Sequence, residues 1–256
     1  MRYGLADDGP NSWPQRRQLV FDLIERGRYD FIGLQEALPF QIEEILEAVA
    51  GYDVYYRTRE IDPSEGEACA VLYRSDRWAL DEAESGTLWL SETPETAGSQ
   101  SWDSSLPRIA TWVSVEERSA GRRWHVVNTH FDHRGEGARI ESAGIVRELA
   151  KSLAASTPVV VLGDFNAAES SAPMLELLRA EGDFTLEDSF RKLHPGARDV
   201  GTFNSWTGET AGDKIDAVLV GPGIDVLEAE ILRDHEDGRY PSDHYPVRAR
   251  VVAASP

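Results

Sequence analysis

The stretch Pro158 to Asn166, reading PVVVLGDFN, constrains this chain more than any other. Val159 to Leu162 has the length and composition of a buried strand. It runs into Gly163, Asp164, an aromatic and Asn166. Glycine there lets the backbone turn or approach a neighbour closely. Asp164 and Asn166 are two apart, so they face the same way if the backbone stays extended. Two readings follow: a strand closing in an Asx-type turn, or a sheet edge that holds a metal, a water or a phosphate oxygen. The rest of the chain has to decide.

Periodicity supplies the surroundings. Ser12 and Pro14 open a helix whose stripe is Leu19, Val20, Leu23 and Ile24, ending at Gly27. Tyr29 to Leu34 reads as a strand, and Pro39 starts a second helix. Tyr52 to Tyr56, Ala68 to Tyr73 and Gly86 to Leu90 are further strands. Ser91 to Leu106 is a long loop, and such loops are usually functional or disordered. Trp102 within it predicts packing and order. Arg108 to Glu116 and Arg123 to Thr129 alternate and make a hairpin. Arg139 to Leu153 and Ser171 to Leu178 read as helices, and Phe184 to Gly201 as mostly irregular. Ile215 to Val220 and Tyr245 to Val252 are the last strands. No repeat or linker interrupts the chain, so residues 1–256 form one α/β domain, mixed sheets with helices outside.

Composition narrows the chemistry. The net charge of −19 repels a long polyanion, and no Lys/Arg-rich run offsets it. The lone Cys69, among Ala68, Ala70 and Val71, is a buried thiol that leaves no intrachain disulfide. There is no apolar run long enough to span a membrane and no visible signal peptide. The chain as given is expected in the cytoplasm, or outside the cell if a signal peptide lies upstream, and as a monomer.

Polar residues of one chemical kind gather at strand ends. Glu36 follows Phe31 to Leu34; Asn128 and His130 close Trp124 to Val127; Asp164 and Asn166 close Val159 to Leu162. Asp213 and Asp216 flank Lys214, and Ser242, Asp243 and His244 precede the last strand. Each alone has a plain structural reading as a cap, a turn or an ion pair. Together, carboxylates and carboxamides without a cysteine cluster suit a hard cation, Mg²⁺ or Mn²⁺. Two histidines add groups that titrate near neutrality. That set suits hydrolysis of a phosphate ester. Zinc is less favoured, because His-x-x-His is limited to His130 and His133. No Gly-x-Ser-x-Gly elbow and no Gly-rich nucleotide loop occur.

The order Leu34-Gln35-Glu36, Asn128-Thr129-His130, Gly163-Asp164-Phe165-Asn166, Lys214-Ile215-Asp216 and Ser242-Asp243-His244-Tyr245-Pro246 resembles the endonuclease/exonuclease/phosphatase superfamily. Gly86 to Pro94, Leu106-Pro107-Arg108 and His130 to Gly135 resemble a bacterial and archaeal branch of it. The resemblance implies a four-layered α/β sandwich, two packed mixed β-sheets flanked by helices, with the motifs at one end. It implies Glu36 as the main metal ligand, with Asp164 and Asp243 beside it. Asp164 would activate a water, Asn166 would hold the phosphate, and His130 would sit on the phosphate or leaving-group side. Asp216 would hold that region or bind a second metal, and Asp243 would pair with His244, which contacts the scissile phosphate. Arg108 is either a phosphate contact or a sheet-edge ion pair. His133, Asn204 and Trp206 are candidate substrate contacts, and Arg248 and Arg250 a solvated face. In the superfamily a first strand ends in Asn-x-Arg. Here Met1-Arg2-Tyr3-Gly4 stands where that motif finishes, so the strand and its Asn are expected upstream, and the chain is read as N-terminally truncated.

The expected activity is divalent-metal-dependent hydrolysis of a small or lipid-borne phosphoester. Alternatives are a Mg²⁺-dependent nuclease on DNA or RNA, and a catalytically impaired binding protein on the same fold. Specificity is expected in the loops Ser91 to Leu106, His133 to Gly137 and Phe203 to Asp213.

Overall fold

Pro14 in its first turn and the buried Val20, Phe21, Leu23 and Ile24 set helix α1 (Trp13–Gly27), and Arg28 in the left-handed conformation ends it. The computed structural model describes residues 1–155 and 157–254. After α1 come β1 (Phe31–Ala37), α2 (Pro39–Ala48), β2 (Tyr52–Tyr55), β3 (Ala68–Arg74), β4 (Trp78–Trp89), β5 (Ile109–Glu117) and β6 (Arg123–His130). Then follow α3 (Glu136–Leu153), β7 (Val159–Asp164), α4 (Ala172–Leu177), β8 (Glu187–Asp188), α5 (Ser189–Leu193), β9 (Asp216–Val220), β10 (Ile224–Ile231) and β11 (Val247–Ala253).

Six strands form a mixed sheet in the order β4-β5-β6-β7-β9-β8. Only β6 and β7 run parallel, joined by the α3 crossover. The facing strands come in two antiparallel pieces, β1-β3-β2 and the hairpin β10-β11. Val71 and Tyr73 of β3 and Val226 and Ala229 of β10 meet Val113, Val126, Val160 and Val218 of the six-stranded sheet. Helices α3 and α4 cover the other face of that sheet through Val146, Ala150, Met174 and Leu177. Helices α1 and α2 cover β1 and β3 through Val20, Ile24, Ile42 and Ile45. The result is the expected order of four layers, helix–sheet–sheet–helix.

Asn128 ties the two sheets together. It is fully buried on β6, and its amide donates to the Leu34 carbonyl of β1 (3.0 Å) and the Ala70 carbonyl of β3 (2.8 Å). Its Oδ1 accepts from Gln35 (2.6 Å). Gly33 makes this approach fit: a Cβ there would stand 2.8 Å from Asn128 Oδ1.

Three departures from the sequence reading have physical causes. Strand β4 begins at Trp78, well before Gly86. Its register breaks between Asp81 and Gly86, and the acidic residues of the bulge hide the alternation. Strand β10 was not foreseen; it exposes Asp225, Leu227 and Glu230 while burying Val226 and Ala229. Helix α5 lies in the stretch read as irregular. It is a single turn capped by Asp188, which accepts from the Phe190 and Arg191 amides. The expected packing of Trp102 is not found. It is 39% exposed in a turn.

Candidate active site

Register builds the site. Parallel pairing sets His130 beside Asp164 across β6 and β7, and antiparallel pairing sets Asp164 beside Asp216 across β7 and β9. Three side chains from distant parts of the sequence thus stand in one row at a sheet end. His244 arrives from the neighbouring loop, which pairs with Phe203 through an isolated bridge. The distances are short. His244 Nδ1 lies 2.9 Å from Asp216 Oδ2, His244 Nε2 lies 3.9 Å from Asp164 Oδ2, and His130 Nε2 lies 3.5 Å from the same oxygen.

The pairing of His244 corrects the sequence expectation. Its carboxylate partner is Asp216, not Asp243. Thr202 holds Asp216 in place: the Ile215 and Asp216 amides both donate to its Oγ1. Asp243 instead accepts from Ser242 Oγ (3.2 Å) and lies 3.8 Å from the Arg2 guanidinium.

Gly163 and Asn166 fulfil the opening stretch in different ways. A Cβ on Gly163 would stand 3.0 Å from the Thr129 carbonyl, so close strand contact requires glycine there. Asn166 is not in extended conformation. Its φ is +48°, its amide N–H donates to Asp164 Oδ1 (2.9 Å), and its side-chain amide donates to the Phe131 carbonyl (3.0 Å). The Asx-type turn and the sheet-edge site are the same structure. The turn fixes the Asp164 carboxylate, and leaves Oδ2 towards the two histidines.

The electrostatics separate the roles. Burial, and then the charge of Asp216, raise the Asp164 carboxyl to about 7, against the opposing pull of His244. For Asp216, burial is outweighed by the charge and hydrogen bond of His244, and its carboxyl is lowered. Burial disfavours the His244 imidazolium, but Asp216 and Asp164 overcome it and raise His244 to about 10. His130 goes the other way: burial, and then Arg108, hold it well below the ordinary histidine value. One imidazolium and one neutral imidazole therefore flank one carboxyl group near its titration point, as acid–base catalysis requires.

Asp164, Asp216 and His244 offer ligand atoms that all lie within 4.8 Å of one another. The set is hard oxygen plus imidazole, and the mutual repulsion of Asp164 and Asp216 is a cost that a cation relieves. The two carboxylates fit a divalent metal; His244 would join them only as neutral imidazole, not as the imidazolium that Asp216 favours. Glu36 ends β1 with a φ of +59°, a strained conformation for a non-glycine residue. Its Oε2 accepts from the Tyr3 amide (2.8 Å). It borders one small cavity with Arg108 and His130.

The outer candidates divide. Arg108 is buried, with Nη2 3.0 Å from His133 Nδ1 and Nε 3.5 Å from Asp132. Its Nη1 has no partner among the described residues. Asn204 is fully buried and braces its own loop, donating to the Ser242 carbonyl and accepting from the Trp206 amide. Trp206 packs on the Arg16 guanidinium, 5.6 Å from its ring centre. Sequence reasoning missed Phe203, which is 48% exposed with its ring 5.1 Å from that of His244. It also missed Arg59, which forks onto Glu67 and borders the same cavity as His130. The sequence offered no signal for Arg59 beyond its place, two residues after Arg57, at the start of a polar stretch.

The long loop is ordered by two carboxylates. Asp132 accepts from the Ser105 amide and hydroxyl on one oxygen and from the Arg134 and Gly135 amides on the other. Burial opposes its ionisation, but these bonds and Arg108 lower it well below the usual carboxylate range. Asp103 accepts from the Gly137 and Ala138 amides at the start of α3.

Comparison with known proteins places this geometry. The Endonuclease/Exonuclease/phosphatase family profile matches residues 4–244. The mannosyl-6-phosphatase of Bacteroides thetaiotaomicron superimposes with a TM-score of 0.87 at 30% identity, covering 98% of this chain and 96% of that one. An endonuclease/exonuclease/phosphatase of Bacteroides vulgatus gives 0.89 at 30% identity, covering 98% and 95%. The human nocturnin catalytic domain with bound sulfate shares the fold, with a TM-score of 0.73 at 19% identity over 96% of this chain and 89% of that one. Drosophila melanogaster nocturnin is 26% identical over 91% of this chain, which spans 41% of that protein. An uncharacterised protein of Acanthamoeba polyphaga mimivirus is 25% identical over 60% of this chain, which spans 59% of it. No helix among the described residues is long and apolar enough to cross a membrane. The chain belongs to the endonuclease/exonuclease/phosphatase family of phosphoester hydrolases.

Proposed function

We propose that the chain is a divalent-metal-dependent phosphoesterase acting on a small phosphorylated molecule, a sugar phosphate being the leading candidate. The observation that carries the chemistry is the row His130, Asp164, Asp216 and His244, with Asp164 held near neutrality and His244 held charged. Two observations support a small substrate: the net charge of −19, and 30% identity over nearly the whole length to a protein named mannosyl-6-phosphatase. A metal such as Mg²⁺ or Mn²⁺ held by the carboxylates of Asp164 and Asp216, with Glu36 and Asp243 as further candidate ligands, would supply charge neutralisation at the phosphate.

The chain's own groups account for the proton and the charge. Ionised Asp164 takes a proton from the attacking water as the water oxygen bonds to phosphorus. The bond from phosphorus to the leaving oxygen breaks, and that oxygen departs with the electron pair. The His244 imidazolium, fixed by Asp216, stabilises the charge gathering on the phosphoryl oxygens. Neutral His130 donates a hydrogen bond on the other side. Phe203 forms a wall beside His244, and Arg108 offers its unpartnered Nη1 to an anionic group.

The test is turnover of mannose 6-phosphate, p-nitrophenyl phosphate and bis-p-nitrophenyl phosphate with Mg²⁺ or Mn²⁺. Asp164→Ala and His244→Ala should each lower kcat by at least about 10²-fold. Nicking of plasmid DNA with no turnover of the small esters would favour a nuclease instead. Folded protein without turnover on any of these substrates would favour a binding role.

A further inference from the structure

Lys214 is a buried charged group that the proposed reaction leaves unused. Its side chain is 1% exposed. Its ammonium meets the Asp188 carboxylate (2.5 Å), the Asp216 main-chain carbonyl (3.1 Å) and the Glu169 carboxylate (3.8 Å). A buried ammonium–carboxylate pair loses much of its attraction to lost hydration, so it is a poor source of stability for its own sake. Its position gives it a different role. The Phe165 amide donates to the Ile215 carbonyl, which is therefore turned towards β7. Asp216, next along, turns its own N–H and C=O to the outer edge of β9. β8 is two residues long and pairs with Leu219 and Val220, short of Asp216. Two side chains take the place of a strand there. Thr202 Oγ1 accepts from the Asp216 amide (3.1 Å), and Lys214 donates to the Asp216 carbonyl.

The ammonium is in turn held by the elements around it. Asp188 caps α5, accepting from the Phe190 and Arg191 amides on Oδ1 and from Lys214 on Oδ2. Glu169 takes the Arg191 fork, 2.7 Å on each oxygen. It stands in the loop that follows Asn166, whose turn fixes Asp164. We infer, resting on the phosphoesterase reading of the same site, that Lys214 is a positioning residue for the hydrolysis. By tying the outer edge of β9 to α5 and to the loop after Asn166, it holds Asp216 where its carboxylate directs His244 at Asp164. Lys214 itself meets no substrate, so its loss disturbs alignment and leaves binding in place.

The test compares Lys214→Met with Lys214→Met/Asp188→Ser, in which serine keeps the cap of α5 and no charge of the pair is left buried alone. The single variant should lose stability to urea, and the double variant should regain most of it. Turnover should not follow. With p-nitrophenyl phosphate and Mg²⁺, kcat should fall by at least about tenfold in both variants, with KM within about threefold of the unaltered chain. A second readout needs no turnover: the proton resonance of the His244 Nδ1–H, hydrogen-bonded to Asp216, should shift or broaden in the double variant. Recovery of kcat together with stability in the double variant overturns the inference. So does an unchanged His244 resonance, or a KM raised as much as kcat is lowered. A double variant that fails to fold also overturns it, since the network then holds the fold and not the alignment. An unaltered chain that turns over no ester would overturn the phosphoesterase reading, while the His244 resonance would still decide whether Lys214 sets the alignment.

Discussion

Asp164 is the residue on which stability and chemistry conflict. Its carboxyl titrates near 7 in the folded chain, against an ordinary value of 3.8. Between those values the folded state stays protonated while the unfolded state ionises, so stability falls as pH rises from 3.8 to about 7. Above about 7 the whole cost is present. Asp164→Asn keeps an oxygen for the Asn166 amide and removes that cost. It should raise stability by about 1–2 kcal/mol at pH 8 and by nothing at pH 3.5, while ending turnover. Urea titrations at the two pH values check this, and equal effects at both would refute it. His244 has the opposite sign. Its folded value near 10 exceeds the ordinary 6.5, so its contribution is complete below pH 6.5 and lost as pH rises through 10. His244→Gln should therefore cost more stability at pH 6 than at pH 10.5. On the proposed mechanism turnover needs Asp164 ionised and His244 protonated, so activity should fall both as acid protonates Asp164 and as base deprotonates His244, which a pH–rate profile checks. The identities of Asp164 and His244 were legible in sequence, because strand-end polar residues stand out against apolar runs. The Asp216–His244 pairing was not. It depends on β7–β9 register and on the Phe203–His244 bridge, and neither leaves a local signature.

At the scale of elements, the polar contact between sheets is the sharpest test of the fold. Removing Asn128 leaves the Leu34 and Ala70 carbonyls and the Gln35 amide without partners in a buried layer. Asn128→Ala should cost about 2–4 kcal/mol. Asn128→Asp should cost at least as much, since it also buries a charge between the sheets. A loss under about 1 kcal/mol on chemical denaturation would show that water replaces the amide. Here too the sequence was half informative. Asn128 was visible as part of a strand-end motif with no role of its own assigned; only the structure shows it turned towards the opposite sheet. Helices α1, α2 and α3 were legible from their stripes. β10 and α5 were not, because one strand carries acidic residues on its open face and the other element is too short to repeat.

Across the whole molecule the excess of acid bears on the proposed preference for small substrates over long ones. A chain of net charge −19 without a Lys/Arg-rich run offers few groups to displace counterions from a polyanion. Turnover of a small sugar phosphate should change less than about threefold between 50 and 300 mM NaCl, because attraction over long range is already screened. A steep fall with salt would point to a polyanionic substrate instead. The proposed chemistry draws on the ends of β6, β7 and β9, set by sheet register, and on His244 from the loop before β11. The Ser91 to Leu106 loop is anchored elsewhere. It is held near its end by Asp132 through Ser105, and to the start of α3 by Asp103. Between its anchors the loop bonds largely to itself, Ser91 to Ser99 and the Glu92 amide to Ser101. A change confined to those internal contacts would leave the register of β6, β7 and β9 as it is, so the loop and the strand-end row can diverge separately.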